Sequence, residues 1–289
     1  MKHYFANMPA PDFGFSPDAF FPLINGEKGN VTFNVNFKSD NGADLKLISF
    51  EGGLRDNMVP GDAQAEVSGE GLEDIKERFE EFTASNPISG TAVFKDGNLV
   101  LNAVGKAAHG QEPRNGVNAA TYLALFLNQF DFEKGAADYL AFISKYLHED
   151  SRLNMLNMAF SDPVMGDLTM NAGVFAFKED EKAMLTMNFR FPKGINAQVL
   201  KDELAKTSDK FNAEIDAGPS MEPHYVDPSD PIVKNLLDVY SEQTGNKAEG
   251  QVVGGGTYGR LLKRGVAYGA MFPDSVDTMH QANEFMSLR

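Results

Sequence analysis

The most regular hydrophobic pattern in the chain is an alternation near its N-terminal end. In the segment VTFNVNFK, residues 31–38, the apolar side chains occupy every odd-numbered position and the polar ones every even position. A period of two with one apolar face is typical of a half-buried β-strand. The preceding residues 7–29, rich in proline and glycine, are expected to be loop, and residues 44–53, DLKLISFEGG, are expected to form the partner strand.

Helical spacing follows in GLEDIKERFEEF, where Leu72, Ile75, Phe79 and Phe82 recur every three or four residues. This periodicity predicts an amphipathic α-helix with its apolar stripe on the core. Similar patterns predict three further helices, near residues 116–130, 136–148 and 196–209. A further strand is predicted near residues 211–216.

Two β-hairpins are predicted from paired apolar runs. The first, TAVFKDGNLVLNAVG, turns at Asp96-Gly97, a dipeptide that favours tight hairpin turns. The second covers residues 170–192 and turns through the charged stretch 178–182. Alternation in its second strand places Arg190 on the polar face of that strand.

A proline-rich boundary, AGPSMEPHYVDPSDP, spans residues 217–231, and the pattern changes after it. Ser229 or Asp230 is expected to cap a helix that has Pro231 in its first turn and ends at Gly245. The segment QVVGGGTYGRLL then predicts a strand, a glycine turn and a helix start, and VAYGAMF predicts a short buried strand of the parallel type.

These elements predict a two-domain α/β chain. Residues 29–221 are expected to form an α+β domain of two related lobes, each with strands and helices. Residues 1–28 and 222–289 are expected to come together as part of an α/β domain into which the first domain is inserted.

Charge and composition restrict the class of function. The chain has 289 residues with 26 basic and 41 acidic side chains, and its formal net charge of −15 disfavours nucleic acid and anionic membrane surfaces as partners. The absence of cysteine excludes disulfides and thiolate metal sites. No apolar run approaches the ~18 residues of a membrane span. The first residues lack the apolar core of a signal peptide, so a cytoplasmic enzyme or binding protein is expected.

Three glycines, Gly254, Gly255 and Gly256, follow a predicted strand at the point where a helix begins. Backbone N–H groups at such a turn can approach an anion or a carbonyl closely. The segment lacks the Gly-Lys-Ser/Thr of a phosphate-binding P-loop and the βαβ context of a dinucleotide site. A tight turn that requires glycine is the alternative interpretation.

Several polar side chains have both a structural and a functional interpretation. His109 follows a strand and precedes a helix, and Arg190 is either an ordinary exposed charge or a fork for a carboxylate. Asn57 forms an Asx turn or supplies an amide to a ligand, and Asp18 has a plain turn interpretation.

His280 lies between two acidic residues after a Pro-Asp turn, and on the residues alone it is a metal ligand, a helix cap or an ordinary histidine. Of the other histidines, His3 and His148 are expected to be exposed, and His224 lies in the proline-rich boundary.

Seven segments resemble one family of enzymes, in order and at compatible spacing. They are GFSPDAFFPLINGEKG, GGLRDNMVPGDA, VGKAAHGQEPRNGVNAA, MNFRFP, PHYVDPSDPIV, GGGTYGR and FPDSVDTMHQANE. From about residue 3 to its end the chain is similar to the dipeptidase V branch (Xaa-His dipeptidase, carnosinase-like) of the zinc-dependent clan of aminoacylases, carboxypeptidases and succinyl-diaminopimelate desuccinylases.

This resemblance implies a catalytic α/β domain with two zinc ions, into which a lid domain is inserted. The zinc ions activate a water molecule that hydrolyses a dipeptide. The resemblance implies that Asp18 is a ligand of one zinc ion and His280 a ligand of the other. It also implies that His109, from the lid, donates a hydrogen bond to the carbonyl oxygen under attack.

The same resemblance assigns the substrate contacts. Asn57 and Arg190 bind the free C-terminal carboxylate of the dipeptide, and the turn of Gly254, Gly255 and Gly256 lines the pocket.

The family carries further metal ligands and its general base upstream of the aspartate that matches Asp18. They are a His-x-Asp pair, a bridging aspartate and a Glu-Glu pair, and the 17 residues before Asp18 contain no such pattern. A zinc site needs three or four protein ligands. The chain is therefore expected to be a fragment, truncated at both ends and inactive as given.

Two functions remain open from the sequence. The first is a zinc-dependent dipeptidase, monomeric in its complete form, of which this chain is a part. The second is a non-catalytic module that binds peptides or amino acids through the lid and the glycine turn. A reading frame upstream of Met1 that encodes His-x-Asp and Glu-Glu distinguishes the first from the second.

Overall fold

The structure is a computed structural model that describes residues 2–17, 19–38, 44–276 and 285. Its strands, in chain order, are β1 (Gly14–Ser16), β2 (Ala19–Phe20), β3 (Ile24–Glu27), β4 (Gly29–Phe37), β5 (Lys46–Gly52), β6 (Met58–Val59), β7 (Asp62–Ser68), β8 (Ser89–Lys95), β9 (Asn98–Val104), β10 (Ala108–His109), β11 (Ser161–Asp162), β12 (Gly166–Asp167), β13 (Thr169–Lys178), β14 (Lys182–Phe191), β15 (Glu214–Ala217), β16 (His224–Tyr225), β17 (Gln251–Val253), β18 (Gly265–Ala267) and β19 (Ala270–Met271).

The α-helices are α1 (Lys2–Asn7), α2 (Leu72–Ser85), α3 (Ala119–Leu127), α4 (Lys134–Tyr146), α5 (Ala197–Ser208) and α6 (Pro231–Thr244). Short 3-10 turns cover Pro113–Asn115, Asp209–Phe211 and Tyr258–Leu261. The chain is thus a mixed α/β protein, as its sequence predicts. Within the described ranges, no helix is both long enough and apolar enough to cross a membrane.

The chain divides into two compact units. Unit 1 contains residues 1–28, 163–165 and 223–289, and unit 2 contains residues 29–162 and 166–222.

Unit 2 is built on one eight-stranded sheet in the order β15-β4-β14-β13-β5-β7-β9-β8. Both predicted hairpins are confirmed: β8 pairs with β9, and β13 pairs with β14. Asp96 and Gly97 have the positive φ values, 53° and 87°, of a tight primed turn. Because β13 also pairs with β5, the strands of the two predicted lobes share a single continuous sheet.

The predicted pairing of residues 44–53 with the strand at 31–38 is wrong. The strand β4 lies between β14 and β15, whereas β5 lies between β7 and β13. The strands β4 and β14 match on both faces: Phe33 packs against Phe189 with ring centroids 5.3 Å apart, and Thr186 donates a hydrogen bond to Asn34. These matched faces join strands that are far apart in sequence, which a nearest-neighbour interpretation misses.

The apolar core of unit 2 lies between this sheet and its helices. The side chains of Leu72, Ile75 and Phe79 on α2 are buried, as the helical spacing predicts. Tyr139 of α4 is fully buried, and its ring contacts those of Phe37, Phe50 and Phe177 at centroid distances of 5.4, 5.9 and 5.6 Å. The predicted strand and helix faces therefore meet in one hydrophobic cluster.

Unit 1 contains a smaller sheet in which β18 pairs in parallel with β1, and β17 in parallel with β3. The expectation that residues 7–29 form only loop is wrong, because they contain β1, β2 and β3. These short strands pair with strands from the far end of the sequence, so the local proline and glycine content does not reveal them. The helix α6 begins and ends as predicted, with Asp230 as its N-cap and Gly245 at φ 74° as its C-cap.

Candidate functional site

Arg190 lies near the end of β14 and is 7% exposed, so its interpretation as an ordinary exposed charge is wrong. Its Nε donates a hydrogen bond to Oδ1 of Asn188, on the same face of the strand, at 2.9 Å. Because a guanidinium group is planar and rigid, holding Nε also fixes the direction of the two terminal nitrogens. Arg190 is therefore an oriented fork of the kind that binds a carboxylate with two hydrogen bonds.

The carboxamide of Asn188 is anchored in turn to the neighbouring strand β4. Its Nδ2 donates to Oδ1 of Asn30 at 2.9 Å and to Oγ1 of Thr32 at 2.8 Å. The hydroxyl of Thr32 donates to Oδ2 of Asp56 at 2.6 Å. A line of hydrogen bonds thus runs from the guanidinium across two strands to the loop that follows β5.

Asn57 lies in that loop, and its position is fixed by strand β13. Nδ2 of Asn171 donates to the backbone oxygens of Asp56 and Met58, the two neighbours of Asn57, at 2.8 Å each. The loop also lies directly against Gly173, where an added Cβ would be 2.5 Å from the backbone oxygen of Asp56. The close approach requires glycine at this position and holds the loop on the strand.

His109 is held beside the same loop by the pairing of β10 with β6, in which it stands opposite Met58. The N–H of Gly110 donates to the backbone oxygen of Asn57 at 2.7 Å. The N–H of Gln111 donates to Nδ1 of His109 at 3.2 Å, so the neutral ring carries its proton on Nε2. The exposed imidazole can therefore donate a hydrogen bond from Nε2 to a carbonyl oxygen.

Three of the residues singled out in the sequence are thus connected within unit 2. Arg190, Asn57 and His109 lie at successive points of one hydrogen-bond network that runs along the sheet and the loop after β5. Together they offer a guanidinium, an amide and an imidazole, which suit a ligand that has both a carboxylate and a carbonyl group.

The turn formed by Gly254, Gly255 and Gly256 belongs to unit 1 and is organised by a buried carboxylate. Glu27 is 1% exposed, and its oxygens accept from the N–H of Thr257 at 3.0 Å and from its hydroxyl at 2.6 Å. Arg260 pairs with the same carboxylate at 3.4 Å. The donors to this carboxylate are on Thr257, the residue after the glycine turn. Binding of an anion or a carbonyl by the N–H groups of Gly254, Gly255 and Gly256 stays a prediction.

The zinc ligands implied by the resemblance, Asp18 and His280, lie outside the described residues. Over the ranges that the structure does describe, no three His, Cys, Asp or Glu side chains are grouped closely enough to hold a metal ion.

Four residues of the network, Thr32, Asp56, Asn171 and Asn188, were not candidates from the sequence. A signal was present, because the polar face of β4 consists of asparagine and threonine, and that of β14 carries Thr186 and Asn188 next to Arg190. Amides and hydroxyls on one face of two strands indicate a buried polar face with internal hydrogen bonds.

A cavity of about 340 Å³ adjoins this network in unit 2, lined in part by Asn171, Val59, Tyr122 and Glu149. None of the described candidates Asn57, His109 and Arg190 lines it. The cavity is therefore not the place where those three groups meet a ligand.

His148 was expected to be exposed, and this expectation is wrong because the residue is half-buried. Its ring packs edge-on against Tyr122 with centroids 4.5 Å apart, and Nδ1 is 3.4 Å from the hydroxyl of Thr121. Burial lowers the pKa of His148, and the carboxylate of Glu149 partly opposes that effect.

The chain is similar in sequence to proteins from staphylococci. The chain is 38% identical to a protein of Staphylococcus haemolyticus over 99% of its own length, and 39% identical to one of Staphylococcus epidermidis over 98%. Both carry the name "Putative dipeptidase". The chain spans 62% of the length of each of these relatives. No family model matches the chain.

Among solved structures, the chain is similar to the aminoacylhistidine dipeptidase of Vibrio alginolyticus. The two share 14% sequence identity at a TM-score of 0.49, over 90% of this chain and 59% of the other.

Proposed function

We propose that this chain carries the substrate-binding part of a metal-dependent dipeptidase that acts on dipeptides with a free C-terminal carboxylate. The observation that carries the proposal is the hydrogen-bond network that connects Arg190, Asn57 and His109. The staphylococcal relatives, by their names, support the same activity.

Each group has a role that fits its environment. Arg190 and Asn57 bind the carboxylate of the dipeptide, because an oriented guanidinium and an amide supply donors of complementary geometry. His109 donates from Nε2 to the oxygen of the scissile carbonyl, where negative charge develops during attack by water. On the resemblance, we propose that the turn at Gly254, Gly255 and Gly256 also contacts substrate.

The metal belongs to this proposal as well. A zinc ion, when bound, supplies an activated water and polarises the carbonyl. We propose Asp18 and His280 as ligands of two different zinc ions. Because each ion needs three or four protein ligands, we expect this 289-residue chain to bind zinc weakly and to be inactive by itself. Stoichiometric binding at micromolar zinc in a calorimetric titration would contradict that expectation.

A second candidate is a module that binds peptides or amino acids without hydrolysing them. It is favoured by the binding groups of unit 2, since the oriented guanidinium of Arg190 suits a carboxylate whether or not hydrolysis follows. For either function we propose a cytoplasmic protein that binds neither nucleic acid nor membranes, and for the dipeptidase a monomer.

The decisive experiment uses the full-length protein with L-alanyl-L-alanine and, as a matched control, its C-terminal amide. A dipeptidase releases free alanine from the dipeptide, needs added zinc after treatment with a chelator, and acts poorly on the amide. A binding module shows saturable binding of the dipeptide without release of alanine. A protein that neither binds nor cleaves the dipeptide has neither function.

A further inference from the structure

Two buried asparagines stand opposite each other in the sheet of unit 2. Asn171 of β13 and Asn188 of β14 are register partners in the antiparallel pair, and each is 1% exposed. A buried carboxamide is costly unless its polar atoms are hydrogen-bonded. The partners that each amide has found therefore indicate what it does.

Both the oxygen and the nitrogen of the Asn188 amide are hydrogen-bonded, and its oxygen holds Arg190. Its oxygen accepts from Nε of Arg190, while its nitrogen donates to Asn30 and Thr32 on the adjacent strand. Because both ends are engaged, the amide cannot rotate without breaking hydrogen bonds. Asn188 consequently fixes the plane of the guanidinium.

Asn171 contacts the loop after β5 instead of Arg190. Its nitrogen holds the backbone oxygens on either side of Asn57, and the oxygen of Asn57 holds the N–H of Gly110, next to His109. Its own Oδ1 is buried without a hydrogen-bond partner among the described residues. Asn171 therefore stabilises the loop through its donors alone.

Thr32 links Asn188 to the loop that Asn171 holds. Its hydroxyl accepts from Asn188 and donates to Asp56, which is the residue before Asn57. A hydroxyl that both accepts and donates couples the orientation of the Asn188 amide to that of the Asp56 carboxylate.

We propose that Asn188, Thr32 and Asn171 are positioning residues that set the separation between Arg190 and the pair formed by Asn57 and His109. This arrangement favours a substrate that presents a free carboxylate to Arg190 together with a carbonyl group to His109. The inference rests on the proposed function, because it assigns the carboxylate to Arg190 and the carbonyl to His109.

The hydroxyl of Thr32 can be removed without touching any group proposed to contact substrate. Thr32→Val breaks the link, and Thr32→Ser restores it. Thr186→Val is a matched control: Thr186 lies on the same polar face of β14, is 7% exposed and donates to Asn34, outside the line that reaches Arg190. Asn30→Ala, which removes the other acceptor of Asn188, replaces Thr32→Val if that variant does not fold.

The first readout is the exchange of the Arg190 Nε–H with solvent, measured by 15N NMR and assigned with Arg190→Lys. In the wild type and in Thr186→Val, this buried, hydrogen-bonded proton exchanges slowly. In Thr32→Val it exchanges faster, because Asn188 has lost one of its anchors, and Thr32→Ser restores slow exchange.

The second readout is the ratio of the Kd values for L-alanyl-L-alaninamide and L-alanyl-L-alanine. We expect Thr32→Val to lower this preference for the acid by ~3- to 10-fold, about the worth of one hydrogen bond, and Thr186→Val to leave it unchanged. Equal behaviour of Thr32→Val and Thr186→Val in both readouts overturns the inference. A wild type with no preference for the acid overturns the proposed function instead, and the exchange of the Nε–H still decides whether Thr32 and Asn188 orient Arg190.

Discussion

The carboxylate of Glu27 accepts hydrogen bonds from both the backbone N–H and the hydroxyl of Thr257, 230 residues later in the chain. With Arg260 at 3.4 Å, this buried carboxylate joins the end of β3 to the turn that follows β17. The glycine turn of unit 1 is therefore held from the side by an acidic residue and not only by its own backbone.

Glu27→Ala should loosen this turn and destabilise unit 1. It leaves Thr257 and Arg260 without this buried acceptor, and removal of one partner of a buried ion pair costs about 3–5 kcal/mol. Glu27→Gln, which keeps one oxygen acceptor, should cost less. Amide hydrogen exchange over residues 251–261 measures the effect, with Glu249→Ala at an exposed pair as the control. No difference between Glu27→Ala and that control contradicts the assignment.

The N-cap of α6 provides a second prediction within unit 1. Asp230 accepts from the N–H of Ile232, and its two oxygens pair with Nε and Nη2 of Arg264 at 2.8 Å each. Asp230→Ala should raise the exchange rate of the first amides of α6, because loss of such a cap costs about 1 kcal/mol. Asp230→Asn keeps the capping oxygen and should have the smaller effect. Equal effects of Asp230→Asn and Asp230→Ala would show that the ion pair, rather than the cap, dominates.

His148 should make the stability of unit 2 depend on pH. Because burial lowers its pKa in the folded state, the unfolded chain binds a proton first as the pH falls below the usual range for histidine. This contribution to stability is complete at higher pH and is lost as the pH falls toward the folded-state pKa. The free energy of unfolding should therefore fall less steeply between about pH 7 and pH 5 in His148→Gln than in the wild type. The control is His3→Gln, at an exposed histidine. Identical pH profiles for all three proteins would show that burial of His148 does not make the stability of unit 2 depend on pH.

On the proposed function, His109→Ala should lower kcat of the full-length protein more than it raises KM. Its hydrogen bond strengthens as the oxyanion forms, and loss of one such donor typically costs about 100- to 1000-fold in kcat. Steady-state kinetics with L-alanyl-L-alanine measures both constants. A rise in KM at unchanged kcat would place His109 in ground-state binding instead.

Local patterns in the sequence predict much of the fold of unit 2. The alternation in β4 matches its observed burial residue by residue, and Asp96-Gly97 forms the expected turn, because both depend on neighbours in sequence. The partner of β4 was predicted wrongly because strand pairing depends on long-range packing, here with β14.

The candidate site was only partly predictable for the same reason. Resemblance identified Arg190, Asn57 and His109, but not the residues that orient them. Asn171 acts on the backbone of Asp56, 115 residues earlier, and no local pattern encodes a hydrogen bond across that separation. Glu27 was missed because its partners, Thr257 and Arg260, come from the other end of the chain.

Binding of the free carboxylate of a dipeptide by Arg190 is tested most directly by comparing two ligands, L-alanyl-L-alanine and its C-terminal amide. The affinity for each is measured with the wild type and with Arg190→Ala. The wild type should bind the acid at least about ten-fold more tightly, since a hydrogen bond to a charged group contributes about 1.5–3 kcal/mol. Arg190→Ala should abolish that preference. Arg152→Ala, a control at another arginine of unit 2 that is partly buried and paired with Glu112 and Asp167, should retain it. A full preference for the acid in Arg190→Ala would contradict the account.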